Sequence, residues 1–348
     1  MDPPPLSRWS VWFFVVLVTV LALFNLRKPR LLVLHSFAAA DPWVRGVERG
    51  IDAALAASRR PLNLETFHMD SDLWSRPQAR RQAEAAALLA IQRFRPDLIV
   101  AVDDEARDLL ARSAGLPAKT RILPVSVLTP APRGRNGALA APGLQETLPL
   151  EPVADLLRQL WPDRSLRLAA IGVAIETGQA ELAQVRRFPW GPHRLVAASL
   201  VRDEAEWRRT VRGLRDRADV LLVLSYFGLA PDPPEGGTDG SHAGPNPDRL
   251  GQEIAGWTET HAGPLPIGLH VAYVADGGGL GLSPAPEVYG QEAVATALTW
   301  LDGRSSPPPA RHLDPFDVAV RRSALARRGL RLPPLYGEAA RAAGQLYP

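Results

Sequence analysis

The stretch LLVLHSFAAADPWVRGVERGIDAAL (31–55), with RPDLIVAVDDEA (95–106) behind it, decides the fold class. LLVLH (31–35) and DLIVAV (97–102) are short apolar runs without polar alternation, the pattern of strands buried on both faces. Each run leads into a helical pattern, Pro42 to Ala57 after the first and Glu105 to Ser113 after the second. Strand followed by helix, repeated, predicts a parallel sheet covered by helices.

Outward from that core, LNLETFHM (62–69) and ILPVSVL (122–128) supply two more strands, and alanine-rich Pro77 to Phe94 a helix. After the Pro/Gly/Arg-rich stretch Thr129 to Gly143 the same grammar restarts. Helices are expected at Glu151–Leu160, Gln179–Arg187 and Glu204–Arg215, and strands at 166–173, 194–201 and 219–225. The segment 228–247 is a Gly/Pro/Asp-rich surface loop. A helix near Arg249–His261, an apolar run Ile267–Val274, a glycine turn Asp276–Gly279 and a helix Glu287–Leu301 complete the pattern. The expected fold is α/β, with two doubly wound, Rossmann-like lobes and a hinge. Residues 31–145 form lobe 1 and 146–275 lobe 2; 276–310 return to lobe 1; 311–334 close lobe 2 with a strand and helix; 335–348 are a C-terminal tail.

Ahead of this body, after a tail at 1–8, WSVWFFVVLVTVLALFNL (9–26) carries no charge in 18 residues and as a helix spans about 27 Å. Trp9 and Trp12 suit one interface and Arg27, Lys28 and Arg30 the other. This predicts a single-pass anchor. A cleaved signal peptide is the alternative, but its first small-x-small site, Ala38 to Ala40, would remove the strand 31–34. The positive-inside count alone places the body in the cytosol.

Arg8, Arg27, Lys28 and Arg30 against Asp2 account for the whole net charge of +3, leaving 36 basic and 36 acidic residues in the rest. A neutral body has no electrostatic footprint for nucleic acid, so no nucleic-acid partner is expected. Cysteine is absent, which excludes thiolate metal sites and cysteine nucleophiles. The seven histidines include no i, i+4 pair, and no metal site or cofactor is expected. No G-x-S-x-G elbow is present.

Open α/β sheets bind ligands beyond the carboxyl ends of their strands, so the candidate site residues are those that follow strands. They are Ser36 and Phe37, Asp103 and Asp104, Thr129, Glu176 with Thr177 and Gly178, Tyr226, and Asp276. One of Asp103 and Asp104 is expected to cap the following helix, and the other to hold a ligand amine. Ser36 and Phe37 offer a hydroxyl and an aromatic wall. Thr177 is either an ordinary N-cap or a donor to a carboxylate. Tyr226 either stacks on a ligand ring or covers the hinge. Asp276-Gly277-Gly278-Gly279 lacks the spacing of a phosphate loop and is expected to turn the chain back to lobe 1.

Taken in order, these segments resemble a known family. LLVLHSF with DPWVRGVERGIDAAL, FHMDSDLW, RPDLIVAVDDEA, PVSVLTPAP, GLQETLPLEPVADLLRQLWP, AIGVAIETG, the segment around ADGGGLGLSPAPEVYG, and FDVAVRRSALARRGLRLP are similar to successive segments of ABC-transporter substrate-binding proteins. The resemblance is to the uncharacterised or aromatic-amino-acid type, covers residues 31 to 334, and implies a periplasmic-binding-protein type I fold. Glu105 stands where that family commonly has Asn, and Leu128, Thr129 and Ala174-Ile175-Glu176 also depart from it. The resemblance implies an extracytoplasmic body, against the positive-inside count. It also implies a non-catalytic, membrane-anchored solute-binding protein that takes a small polar or aromatic ligand between its lobes. An ABC permease or membrane sensor would be its partner. The alternatives are an anchored enzyme of two Rossmann-like lobes, such as a glycosyltransferase, and a degenerate binding fold acting as a protein-interaction module.

Overall fold

The computed structural model describes residues 8–26, 28–70, 77–117, 119–129, 141–229, 247–303 and 306–348. The tail before Arg8 and most of the loop 228–247 lie outside the described residues. Helix α1 (Arg8–Leu26) carries the apolar segment. Its described side chains, Trp9 and residues 12–21, are all exposed. Among the described residues no helix is long and apolar enough to cross a membrane, so the span expected at 9–26 has no counterpart among them.

In the first lobe, β1 (Arg30–His35) is covered on both faces, which explains its unbroken apolar run. Leu31 and Val33 pack with Val47 and Ile51 of α2 (Pro42–Ser58), while Leu32 and Leu34 meet Ala87 and Ile91 of α3 (Pro77–Phe94). Asp41 starts α2 by accepting from the backbone N–H of Trp43 (2.7 Å) and Val44 (3.1 Å), ahead of Pro42 in the first turn. β2 (Asn63–His68), β3 (Leu98–Val102), β4 (Arg121–Val127), β5 (Leu144–Gln145) and the distant β11 (Arg311–His312) complete a parallel sheet of order β11-β5-β4-β3-β1-β2. Helix α4 (Asp103–Arg112) follows β3.

The second lobe contains α5 (Leu150–Leu160), β6 (Arg167–Val173), α6 (Glu176–Arg187), β7 (Arg194–Val201), α7 (Glu204–Arg212), β8 (Val220–Val223), α8 (Pro247–His261), β9 (Leu265–Gly268), α9 (Ala272–Ala275) and β10 (Leu280–Pro284). The chain then makes α10 (Pro286–Leu301), passes through β11, and ends with β12 (Phe316–Arg321), α11 (Arg322–Arg327), α12 (Pro334–Ala342) and β13 (Leu346–Tyr347). The sheet order is β13-β12-β10-β9-β8-β6-β7, with β10 and β12 antiparallel.

The chain crosses between the lobes three times, after β5, after β10 and after β11. Three boundaries expected from sequence are therefore corrected. The glycine turn at 276–279 does not lead back to lobe 1; it feeds β10 of lobe 2, and the return begins only after Pro284. β11, at the start of the segment 311–334, pairs with β5 in lobe 1, and only β12 and α11 after it lie in lobe 2. Residues 335–348 are not a tail, because α12 packs into the lobe 2 core and β13 pairs with β12.

Helix α10 is drawn to lobe 1 by close packing on α2. A Cβ at Gly50 would stand 2.0 Å from the Glu287 carbonyl oxygen, and one at Gly290 2.0 Å from that of Val47. Only glycine permits this approach. Gly50→Ala or Gly290→Ala is expected to push the two helices apart and destabilise the chain by about 1–3 kcal/mol, measured by urea denaturation.

Candidate functional site

The carboxyl ends of both sheets border one gap, and residues from both lobes enclose there a cavity of about 80 Å³. Lobe 1 contributes Phe37 after β1, Asp41 and Trp43 at the start of α2, Asp103 to Glu105 after β3, and Ser126 and Leu128 at the end of β4. Lobe 2 contributes Thr177 and Glu181 on α6, Ser225 and Phe227 after β8, and His270 after β9. Glu146 joins them from the first crossover.

Among the described lining residues six are carboxylates, facing a single imidazole. Asp104 is neutralised by Arg107, whose Nη1 lies 2.6 Å from Oδ1, and it accepts from the Leu128 N–H (3.0 Å) and the Thr129 hydroxyl (2.8 Å). Arg107 also donates to the Thr129 carbonyl (2.6 Å) and Oγ1 (2.8 Å). Across the gap, Glu181 is fully buried and accepts from the Ser225 N–H (2.8 Å), the Ser225 hydroxyl (3.1 Å) and His270 Nε2 (2.7 Å). Burial works against charge on His270, but Glu181, with Glu146 and Asp41, outweighs it and raises the imidazole pKa.

Among the described residues the other carboxyls form no ion pair. Burial, and then Glu146, Glu105, Asp104 and Asp41, push Asp103 well above the carboxylate range, and its Oδ2 is buried without a hydrogen-bond partner. Burial lifts both Glu105 and Glu146 from 4.5 to about 7 and raises Asp41. Ser126 donates to Glu146 Oε2. Asp103 (φ +71°) and Ser126 (φ +59°) both hold left-handed backbone, so two strained positions border the same cavity.

Of the residues expected from sequence, Phe37, Asp103, Asp104 and Thr177 line the cavity. The expected capping role of the aspartate pair is corrected. Val102 is the N-cap residue of α4, neither aspartate caps it, and Asp103 is the first helical residue. Ser36 takes the capping role instead, since its hydroxyl accepts from the Ala106 N–H (3.0 Å) and donates to the Val102 carbonyl (2.8 Å). With both bonds used and no exposure, Ser36 is a staple behind the site.

Thr129 stands one layer out, holding Asp104 and Arg107. Glu176 is exposed and outside the lining. Gly178 packs its α-carbon on β6, where a Cβ would fall 2.1 Å from the Val173 carbonyl. Tyr226 belongs to the lobe 2 core and donates to Asp276 Oδ2 (2.6 Å), so neither reaches the cavity. Sequence reasoning missed Asp41, Trp43, Glu105, Ser126, Leu128, Glu146, Glu181, Ser225, Phe227 and His270. The strand-end rule, extended by a helical turn, would have included Glu105 and Glu181.

No protein-family model matches the chain, and no curated protein matches it in sequence. Solved structures do match in fold. A substrate-binding protein with adhesive properties from Clostridium difficile, in its ligand-free, open form, is 15% identical, with a TM-score of 0.61 over 88% of this chain and 96% of that one. An ABC domain from Streptococcus pneumonia in complex with L-Trp is 14% identical, with a TM-score of 0.59 over 91% and 99%. A glucose-galactose binding protein from Geobacillus stearothermophilus is 14% identical, with a TM-score of 0.53 over 84% and 98%. The chain therefore has the two-lobed type I fold of periplasmic solute-binding proteins.

The raised carboxyls have a consequence for stability. Glu105 and Glu146 bind protons more tightly folded than unfolded, so the stability they contribute is complete below about pH 4.5 and lost as pH rises through about 7. Glu146→Gln should therefore stabilise the ligand-free chain at pH 8, by on the order of 2 kcal/mol, and have little effect at pH 5. Thermal melts at the two pH values check this.

Proposed function

We propose that this chain is a non-catalytic solute-binding protein whose interlobe cleft takes a small ligand bearing a protonated amine on an apolar or aromatic body. The observation that carries this reading is the lining itself, six carboxylates against one imidazole, with the Asp103 Oδ2 buried and unpartnered. Burying like charges together is costly, and a bound ammonium relieves that cost while satisfying the open acceptor. Phe37, Trp43 and Phe227 supply the aromatic faces a cation or ring packs on. An amine is common to amino acids such as the L-Trp held by the Streptococcus domain, whereas a neutral sugar offers no charge to this lining.

A cavity of about 80 Å³ has room for a few waters, so an amino-acid-sized solute enters by parting the lobes. Ligand affinity for the closed state then drives closure, which an ABC permease or membrane sensor reads. The body is extracytoplasmic in this reading. Attachment to the membrane is assigned to α1, whose exposed Trp9, Trp12 and Phe13 each cost about 1.5–3 kcal/mol in water. Full-length chain is expected to sediment with membranes, and chain lacking residues 9–26 to be released.

Calorimetric titration of the full chain in detergent tests the ligand class. Aromatic and aliphatic primary amines are expected to bind about tenfold more tightly at pH 8 than at pH 6, because Glu105 and Glu146 ionise across that interval. Glu146→Gln should flatten the dependence. Binding of uncharged sugars in preference to amines, or affinity independent of pH, would overturn the reading.

A further inference from the structure

Away from the cleft lining, lobe 1 brings together two histidines and a glutamate that no spacing in the sequence connects. His35 and His68 are the last residues of the neighbouring parallel strands β1 and β2 and are register partners. Register partners point to the same face of a sheet, and the two rings lie stacked, with centroids 5.1 Å apart and planes within 8°. This is the face covered by α2, and that helix lowers Glu48 onto the pair. Glu48 Oε1 stands 3.0 Å from His68 Nε2 and 3.9 Å from His35 Nε2.

The Glu48–His68 hydrogen bond accounts for two of the three residues and leaves the third unexplained. His35 is fully buried, and neither of its ring nitrogens has a hydrogen-bond partner. A buried imidazole without a partner costs about 1–3 kcal/mol and calls for a reason. The Nε2 side of the ring faces Glu48. A neutral imidazole offers a lone pair to a metal.

We infer that His35, His68 and Glu48 form a binding site for a divalent first-row transition metal such as zinc. Two imidazoles and one carboxylate are a donor set that zinc accepts, with a fourth position left to water. The ligand atoms lie within 4.8 Å of one another. Metal bonds near 2.05 Å set neighbouring tetrahedral ligands about 3.3 Å apart, a value bracketed by the 3.0 and 3.9 Å separations here. Convergence on one ion requires the imidazoles to rotate out of their parallel stack. Half-buried His68 and Glu48 have the freedom to do so and provide the route of entry. His35 Nδ1 has no second-shell acceptor, so the site is expected to be weaker than a four-ligand structural zinc centre. The inference stands independently of the ligand assigned to the cleft.

The test uses the full chain in detergent, stripped with chelator and titrated with Co²⁺ followed optically, then with Zn²⁺ in competition with a chromophoric chelator. One equivalent is expected to bind, with the visible absorption of four-coordinate cobalt and a zinc-dependent rise in melting temperature. Glu48→Gln and His68→Asn should each weaken zinc by at least about tenfold and abolish the rise, while Glu338→Gln on the exposed surface of α12 leaves both unchanged. Glu48 is half-exposed, so Glu48→Gln decides the matter if the histidine variant fails to fold. Unaltered binding by Glu48→Gln, loss of the metal in Glu338→Gln, or no stoichiometric binding to the parent chain would overturn the inference.

Discussion

The constraint on which the rest depends is electrostatic. Two sheets, one parallel and one mixed, direct the carboxyl ends of their parallel strands at one narrow gap, and the sequence fills that gap with acids. Like-charged carboxylates crowded into one buried site cannot all ionise in a low dielectric. The fold meets the conflict in three ways. Asp104 is paired with Arg107, Glu181 is paired with His270, and burial raises the pKa values of Asp103, Glu105 and Glu146 so that they retain protons. The third solution is conditional, since it weakens as pH rises. Under the proposed function a bound cation replaces it, and selectivity for charge follows from the cost of the empty state as much as from contacts in the filled one.

Glu146 links this chemistry to the lobe connection because it sits on the chain itself where lobe 1 passes into lobe 2. Its N–H donates to the Val127 carbonyl of β4 (2.9 Å), tying it to lobe 1. Its carbonyl accepts from Gln184 Nε2 (3.3 Å), and Gln184 Oε1 in turn accepts from the Leu148 N–H (3.0 Å), which secures the crossover to α6 of lobe 2. A change in charge at this side chain is therefore felt by both lobes without a relay. The second crossover is held from the other side, where the close approach of α10 to α2 anchors the returning chain.

The architecture was legible because buried parallel strands leave continuous apolar runs. β1, β3, β6 and β7 lie where those runs predict, and α3 has the expected bounds. The third crossing, expected at 311, falls just after β11, whereas the detail ahead of the second was not legible. The run Ile267–Val274 looks like one strand, yet it divides between β9 and α9 because Tyr273 folds back onto Gly268, where a Cβ would stand 2.5 Å from the tyrosine Cβ. β11, with only two residues, is too short to leave a pattern. At the site, the strand-end rule found Phe37, Asp103, Asp104 and Thr177 but also chose Tyr226. The adjacent Phe227 lines the cavity while Tyr226 enters the core, a distinction of one residue where the strand has already ended and alternation no longer governs. Ser36 was a correct polar residue in the wrong role. Nothing local indicates that its hydroxyl would be committed to α4, because its partners lie 66 and 70 residues away.

The backbone at the site follows from the same constraint. Asp103 and Ser126 stand at the ends of adjacent paired strands, and both adopt the left-handed region that non-glycine residues avoid. An aspartate tolerates that region better than most side chains, whereas serine has less to gain from it. Regular extension of either strand would carry the next side chain to the alternate face. The left-handed turn instead directs Ser126 to Glu146 and leaves an Asp103 oxygen unpartnered at the cavity. Strain of roughly 1–3 kcal/mol per position is sustained by the buried sheet behind it. What it achieves is a fixed arrangement of an unsatisfied acid and a hinge acid around one small space, organised before any ligand arrives.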